Sequence, residues 1–179
     1  MKNTDIDINK LRMRLANDRD FAERFFGLIT ELSDFSIDEI STAPKLNKDR
    51  DNDPGAIIVK MEGHDNNGHP IIMVLVEPKE ELMLMMRAYT AWLWEPYNPI
   101  TDEDFESLPK LYEITFDDET TEVPDCPILH IRTRLSHMEA DGWVTDDKEI
   151  DDGVYINLIN MNAENSEILE LLKDVMKDV

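Results

Sequence analysis

Residues 56–76 constrain this chain more than any other stretch. Two β-branched, apolar runs, Ala56 to Met61 and Pro70 to Val76, flank the polar segment His64-Asp65-Asn66-Asn67-Gly68-His69. An Asn-Gly pair supplies the positive φ angles of a tight turn, so the segment predicts a β-hairpin centred on Asn66-Asn67. Its second arm, IIMVLV, is apolar at successive positions rather than at alternate ones. Both faces of that strand must therefore be covered, which places it inside a sheet with helices packed against it.

The flanking segments supply those helices. Phe21, Phe25, Leu28, Ile29 and Leu32 recur at helical spacing over Arg19–Leu32, behind Asn17 and Asp18 as alternative N-caps. Residues 35–43 suit a short edge strand, and Pro44 to Gly55 a loop. After Pro78, the stripe of Leu82, Met86, Tyr89 and Leu93, widened by Met85 and Trp92, predicts a second helix. Trp92, Trp94 and Tyr97 fit either the core or an interface patch, with the core preferred. Leu111–Phe116, Ile128–Leu135 and Val154–Ile159 read as further strands, with Ser136–Asp152 an acidic loop between the last two. Ile168, Leu169, Leu172, Val175 and Met176 mark a terminal helix capped by Asn165 or Ser166. The expectation is one α+β (α/β) domain over residues 1–179, with a mixed central sheet flanked by helices and residues 1–16 as an N-terminal extension.

Charge narrows the partners. The net charge is −22, and residues 1–50 carry 9 basic and 10 acidic side chains against 9 and 30 in residues 51–179. A polyanionic surface repels phosphate backbones, so direct nucleic-acid binding is disfavoured. The lone Cys126 has no partner for an internal disulfide, which fits a reducing compartment. No apolar run approaches the length of a membrane span or a signal-peptide core, so a cytoplasmic protein is expected.

Several phrases together resemble the PD-(D/E)XK nuclease superfamily, and most closely its Rpn-like, transposase-associated branch. They are NDRDFAERFFGLITEL, IIVKMEGHDNNGHPIIMVLVE, the helix with Arg87, Ala88 and Tyr89, then FESLPKLYEITF, PILHI and GVYINL, spanning about residues 17–178. The resemblance implies a restriction-endonuclease-like αβββαβ core. It also implies an Asp on the first hairpin strand, with a Glu and a Gln or Lys on the second, holding Mg²⁺ for phosphodiester hydrolysis. Those positions fall on Lys60, Val74 and Val76. An ammonium repels a divalent cation and two valines offer it no oxygen, so no catalytic residue, metal or cofactor is expected there.

Other constellations carry less. Asp65, Glu77 and Lys79 spell a literal D-x₁₁-E-x-K, but the hairpin sets Glu77 opposite Ala56 or Ile57 while Asp65 sits at the turn. At about 3.3 Å per residue that is roughly 30 Å, against metal bonds of ~2 Å. Asp49, Asp51 and Asp53 begin like a calcium loop that Pro54 and Lys60 then break. His64 and His69 flank the turn and could approach one another, and Asp146, Asp147, Glu149, Asp151 and Asp152 form an acidic run read as hydrated loop.

The expected function is that of a catalytically inactive nuclease relative, a pseudo-enzyme serving as a binding or regulatory module through a protein partner. The alternative is an active Mg²⁺-dependent nuclease whose carboxylates are rearranged, with Glu62 and Glu77 joined by Glu31 or Glu23. A further alternative is an acidic DNA mimic that inhibits a basic protein.

Overall fold

A computed structural model describes residues 6–42, 57–77, 90, 93–94, 97, 101, 107–117, 125–132, 134–139, 142–149, 153–163 and 166–177. Its centre is a six-stranded mixed sheet built from β1 (Phe35–Thr42), β2 (Ile57–Asp65), β3 (Pro70–Val76), β4 (Lys110–Asp117), β5 (Ile128–Ile131) and β8 (Val154–Asn160). The spatial order is β1-β2-β3-β4-β8-β5. β1, β2 and β3 pair antiparallel, β3 with β4 and β4 with β8 parallel, and β8 with β5 antiparallel. The third strand thus lies inside the sheet, and Ile71 to Val76 are all buried. That is the environment its uninterrupted apolar run demands.

Turn chemistry sets the hairpin register. Glu62 pairs with Ile72, Lys60 with Val74 and Ile57 with Val76. The Asp65 amide donates to the His69 carbonyl and the Gly68 amide to the Asp65 carbonyl, both at 2.9 Å. Positive φ falls on Gly68 alone, at 78°, rather than on the Asn-Gly pair. The connection is therefore a three-residue turn ending in a left-handed glycine. Gly63 answers a different need: a Cβ there would lie 1.9 Å from the Ser36 carbonyl oxygen of β1, so only glycine lets the two strands approach.

Three helices cover one face: α1 (Ile8–Asn17), α2 (Arg19–Thr30) and the terminal α3 (Glu167–Lys177). Their apolar stripes join Met61, Met73, Ile114 and Ile159 of the sheet in the main core. Asp18 is the N-cap of α2, its carboxylate accepting from the Phe21 amide at 3.0 Å, and Ser166 accepts from the Leu169 amide at 3.2 Å to cap α3. The segment expected as an extension is part of this core. Leu11 and Leu15 of α1 are fully buried, and Asp7 caps the helix by accepting from Asn9 and Lys10. Charges interleaved among Ile8, Leu11 and Leu15 obscure a helical stripe.

Two further expectations change. The run Ile128–Leu135 is not one strand: β5 ends at Ile131, and β6 (Arg134–Glu139) belongs to a separate two-stranded sheet with β7 (Gly142–Glu149). Most of the expected acidic loop is therefore a β-ladder, because backbone pairing satisfies its amides whatever its charge. The opposite face of the main sheet carries a second cluster of Ile57, Ile72, Val74, Val76, Leu93 and Leu111. Leu93, Trp94 and Thr90 are helical; the rest of the expected second helix, with Leu82, Met85, Met86, Tyr89 and Trp92, lies outside the described residues, as do the loop 44–55 and its Asp49, Asp51 and Asp53. Trp94 is half-buried and donates to the Pro109 carbonyl at 3.2 Å, whereas Tyr97 is exposed. Among the described residues no helix is long and apolar enough to cross a membrane.

Candidate functional site

The second face of the sheet is where the hairpin residues singled out above come together. Cross-strand pairing makes a row of Ser41, Lys60, Val74, Glu113 and Ile156, one residue from each of five adjacent strands. Residues paired across a sheet project to the same side. Lys60 and Val74 are therefore neighbours, as the turn requires, and Val76 lies on the same face one pleat further along β3. Lys60 is mostly buried and forms an ion pair with Glu62 on its own strand. Tyr97 stands near this pair, its phenol pushed up by burial and by the negative charge of Glu62.

Glu113 is the residue that the sequence reading missed. It is fully buried in the middle of β4, between Leu111 and Thr115 on the same face. Its Oε1 accepts from the Thr90 hydroxyl at 2.9 Å, and its Oε2 has no hydrogen-bond partner among the described residues. Burial pushes its carboxyl up to about 8, and the Thr90 bond only partly offsets that rise. Glu113 is thus a neutral acid over most of the ordinary pH range. Its signal in the sequence is a lone carboxylate within LYEITF, a strand whose neighbours are apolar on both faces. The other buried polar side chains of β4 and β8 find partners: Thr115 donates to the Val76 carbonyl, Asn160 to the Cys126 carbonyl and Asn157 to the Tyr155 carbonyl.

Mg²⁺ does not fit the positions that the nuclease resemblance implies. Hydrocarbon from Val74 and Val76 and an ammonium from Lys60 are the wrong ligands for a hard dication. Nor does the structure assemble the fallback set. Glu62 faces the second side, and Glu77 is exposed just past the end of β3. Glu23 and Glu31 belong to α2 and its C-terminal cap, across the sheet, where Glu23 pairs with Arg19 at 3.5 Å.

The remaining candidates separate as well. Asp65 organises the turn, its carboxylate accepting from the Asn67 and His69 amides at 2.9 Å each. Burial alone would raise its carboxyl, but those two bonds and the charges of Lys110 and His69 hold it below the usual range. Glu77 lies at the opposite end of the hairpin, and Lys79 lies outside the described residues. His64 and His69 do not converge: His64 Nδ1 meets Asp38 Oδ2 on β1 at 2.7 Å, and His69 Nε2 lies 3.1 Å from the Leu108 carbonyl. Asp146, Asp147 and Glu149 sit on β7, while Asp151 and Asp152 lie outside the described residues. Cys126 is a half-buried free thiol that donates to the Ile128 carbonyl at 3.0 Å. Among the described residues no three His, Cys, Asp or Glu side chains gather as metal ligands.

No family model, no curated protein and no solved structure matches this chain.

Proposed function

We propose that this chain is a catalytically inactive, nuclease-like domain that serves as a binding or regulatory module through protein contacts. The observation that carries the reading is the pairing of Lys60 with Val74. Where the nuclease resemblance requires two carboxylates to share a cation, this hairpin sets an ammonium against a methyl-tipped side chain. Support also comes from the order α2, β1, β2, β3, then the helical residues Thr90, Leu93 and Trp94, then β4, which is compatible with the αβββαβ core that the resemblance implies. A net charge of −22 suits a basic protein partner better than a nucleic acid.

One observation favours a second reading, a rebuilt nuclease site: Glu62 and Glu113 share the second face, and one oxygen of Glu113 has no hydrogen-bond partner among the described residues. Incubation of the purified chain with supercoiled plasmid in Mg²⁺ or Mn²⁺ decides between the two. The expected outcome is no nicking above buffer, unchanged in Glu113→Gln and Glu77→Ala. Metal-dependent nicking that Glu113→Gln or Glu62→Gln abolishes would replace the first reading with the second.

A further inference from the structure

The outer side of α2 carries a residue that its helical conformation does not require. Gly27 sits inside the helix, where glycine is weaker than alanine. The glycines at positive φ among the described residues are Gly68 and Gly153, so backbone conformation does not demand it. Nor does packing: a Cβ at Gly27 would lie 3.4 Å from the Leu32 carbonyl oxygen and 3.6 Å from the Phe35 ring, which are ordinary contact distances. What the missing side chain does is leave a groove open.

That groove, about 720 Å³, lies between α2, the loop that follows it and the start of β1, an edge strand of the sheet. Leu28, Leu32 and Phe35 line it, each half-buried against the main core and open to the groove on its other side. Glu23, Arg24, Asp34 and Asp65 stand around this apolar floor. Glu23 meets Arg19 at 3.5 Å and Arg24 meets Glu167 at 2.8 Å, so those charges cancel within their own pairs. Asp34 and Asp65 make the hairpin end of the groove negative: the first precedes Phe35 in the chain, and the second pairs with Phe35 across the β1–β2 ladder. Lys110, whose charge reaches Asp65, does not line the groove.

Building on the chain's role as a protein-binding module, we propose that this groove docks a short cationic segment of the partner protein. One apolar side chain of that segment sits on Leu28, Leu32 and Phe35, and flanking lysines or arginines face Asp34 and Asp65. Charge complementarity selects this occupant. A second copy of the chain brings its own −22, and a nucleic acid or an anionic membrane brings phosphates, so each of these is repelled. An apolar anchor between cations matches an apolar floor with an acidic end.

The test is fluorescence anisotropy of the full chain with a labelled peptide of lysines and arginines around a central leucine. Serine in place of that leucine should weaken binding by about tenfold or more, which diffuse attraction to an acidic surface would not do. Gly27→Leu fills the groove and should weaken the leucine peptide by a similar factor, with the urea midpoint unchanged or higher. Asp34→Asn should weaken it by about threefold at low salt, whereas Glu170→Gln, which alters an exposed carboxylate on α3 outside the groove, should leave it unchanged. Those two variants remove equal charge, so their comparison decides even if Gly27→Leu disturbs the fold. Absence of binding would overturn the proposal, as would binding that ignores the central leucine, survives Gly27→Leu, or falls equally in Asp34→Asn and Glu170→Gln. Plasmid nicking would remove the inactive-module reading itself, whereas failure here removes only the groove.

Discussion

The two faces of the central sheet solve the same packing problem with different materials. On the helical face, α1, α2 and α3 meet Met61, Met73, Ile114 and Ile159, and the contact is almost wholly hydrocarbon. On the other, an apolar patch around Val74 is interrupted by the Lys60–Glu62 pair and the buried Glu113. Burial is favourable without conditions only for the first kind of surface. A carboxyl sealed in the second must keep its proton or bear the desolvation penalty. Stability should therefore respond to side-chain volume on one face and to pH on the other.

The largest effect is expected on the helical face. Phe25 is fully buried, with its ring 5.4 Å from that of Phe26, so Phe25→Ala should cost about 3–5 kcal/mol in urea unfolding, at acid and neutral pH alike. A strongly pH-dependent loss would break the contrast between the faces.

The second effect belongs to Glu113, whose folded value of about 8 lies above its ordinary 4.5. Below pH 4.5 both states hold the proton, and the stability tied to it is fully present. Between 4.5 and about 8 the unfolded chain releases the proton while the folded chain keeps it. Stability should then fall by up to ~1.4 kcal/mol per pH unit, levelling off once the folded carboxyl ionises. Unfolding curves at several pH values should show this slope in the wild type and its absence in Glu113→Gln. Equal slopes in both proteins would show that the carboxyl is not shielded as its surroundings imply.

The smallest effect should come from Lys60→Met. Its ion pair with the partly exposed Glu62 contributes at most about 1 kcal/mol, and a methionine retains the packing of the stem. A loss beyond ~2 kcal/mol would mean that the ammonium also compensates Glu113, two strands away on the same row.

Legibility in the sequence followed the range of the interactions. The hairpin, the buried third strand and the stripe of α2 could be read because turn chemistry and hydrophobic period act within a few residues. Lys60, Val74 and Val76 could be placed on one face for the same reason. Glu113 could not, since its exposure depends on which strands flank β4 and on what covers them. Leu28, Phe35 and Asp65 come from a helix, an edge strand and a hairpin turn, and no local pattern gathers them around one groove. The break between β5 and β6 was equally hidden, because ILHI and RLSHME both look like strand and only pairing assigns them to different sheets.

By itself, then, the amino-acid order determined where the chain turns, which strand is covered on both sides, and that the hairpin offers an ammonium and two hydrocarbons where the nuclease resemblance asks for acids. The tertiary structure decided that α1 joins the core, that a carboxyl lies buried beside Val74, and that a groove opens between α2 and the start of β1. The first group follows from backbone sterics and side-chain period, which need only near neighbours. The second depends on distant segments meeting, and on the water that leaves when they do.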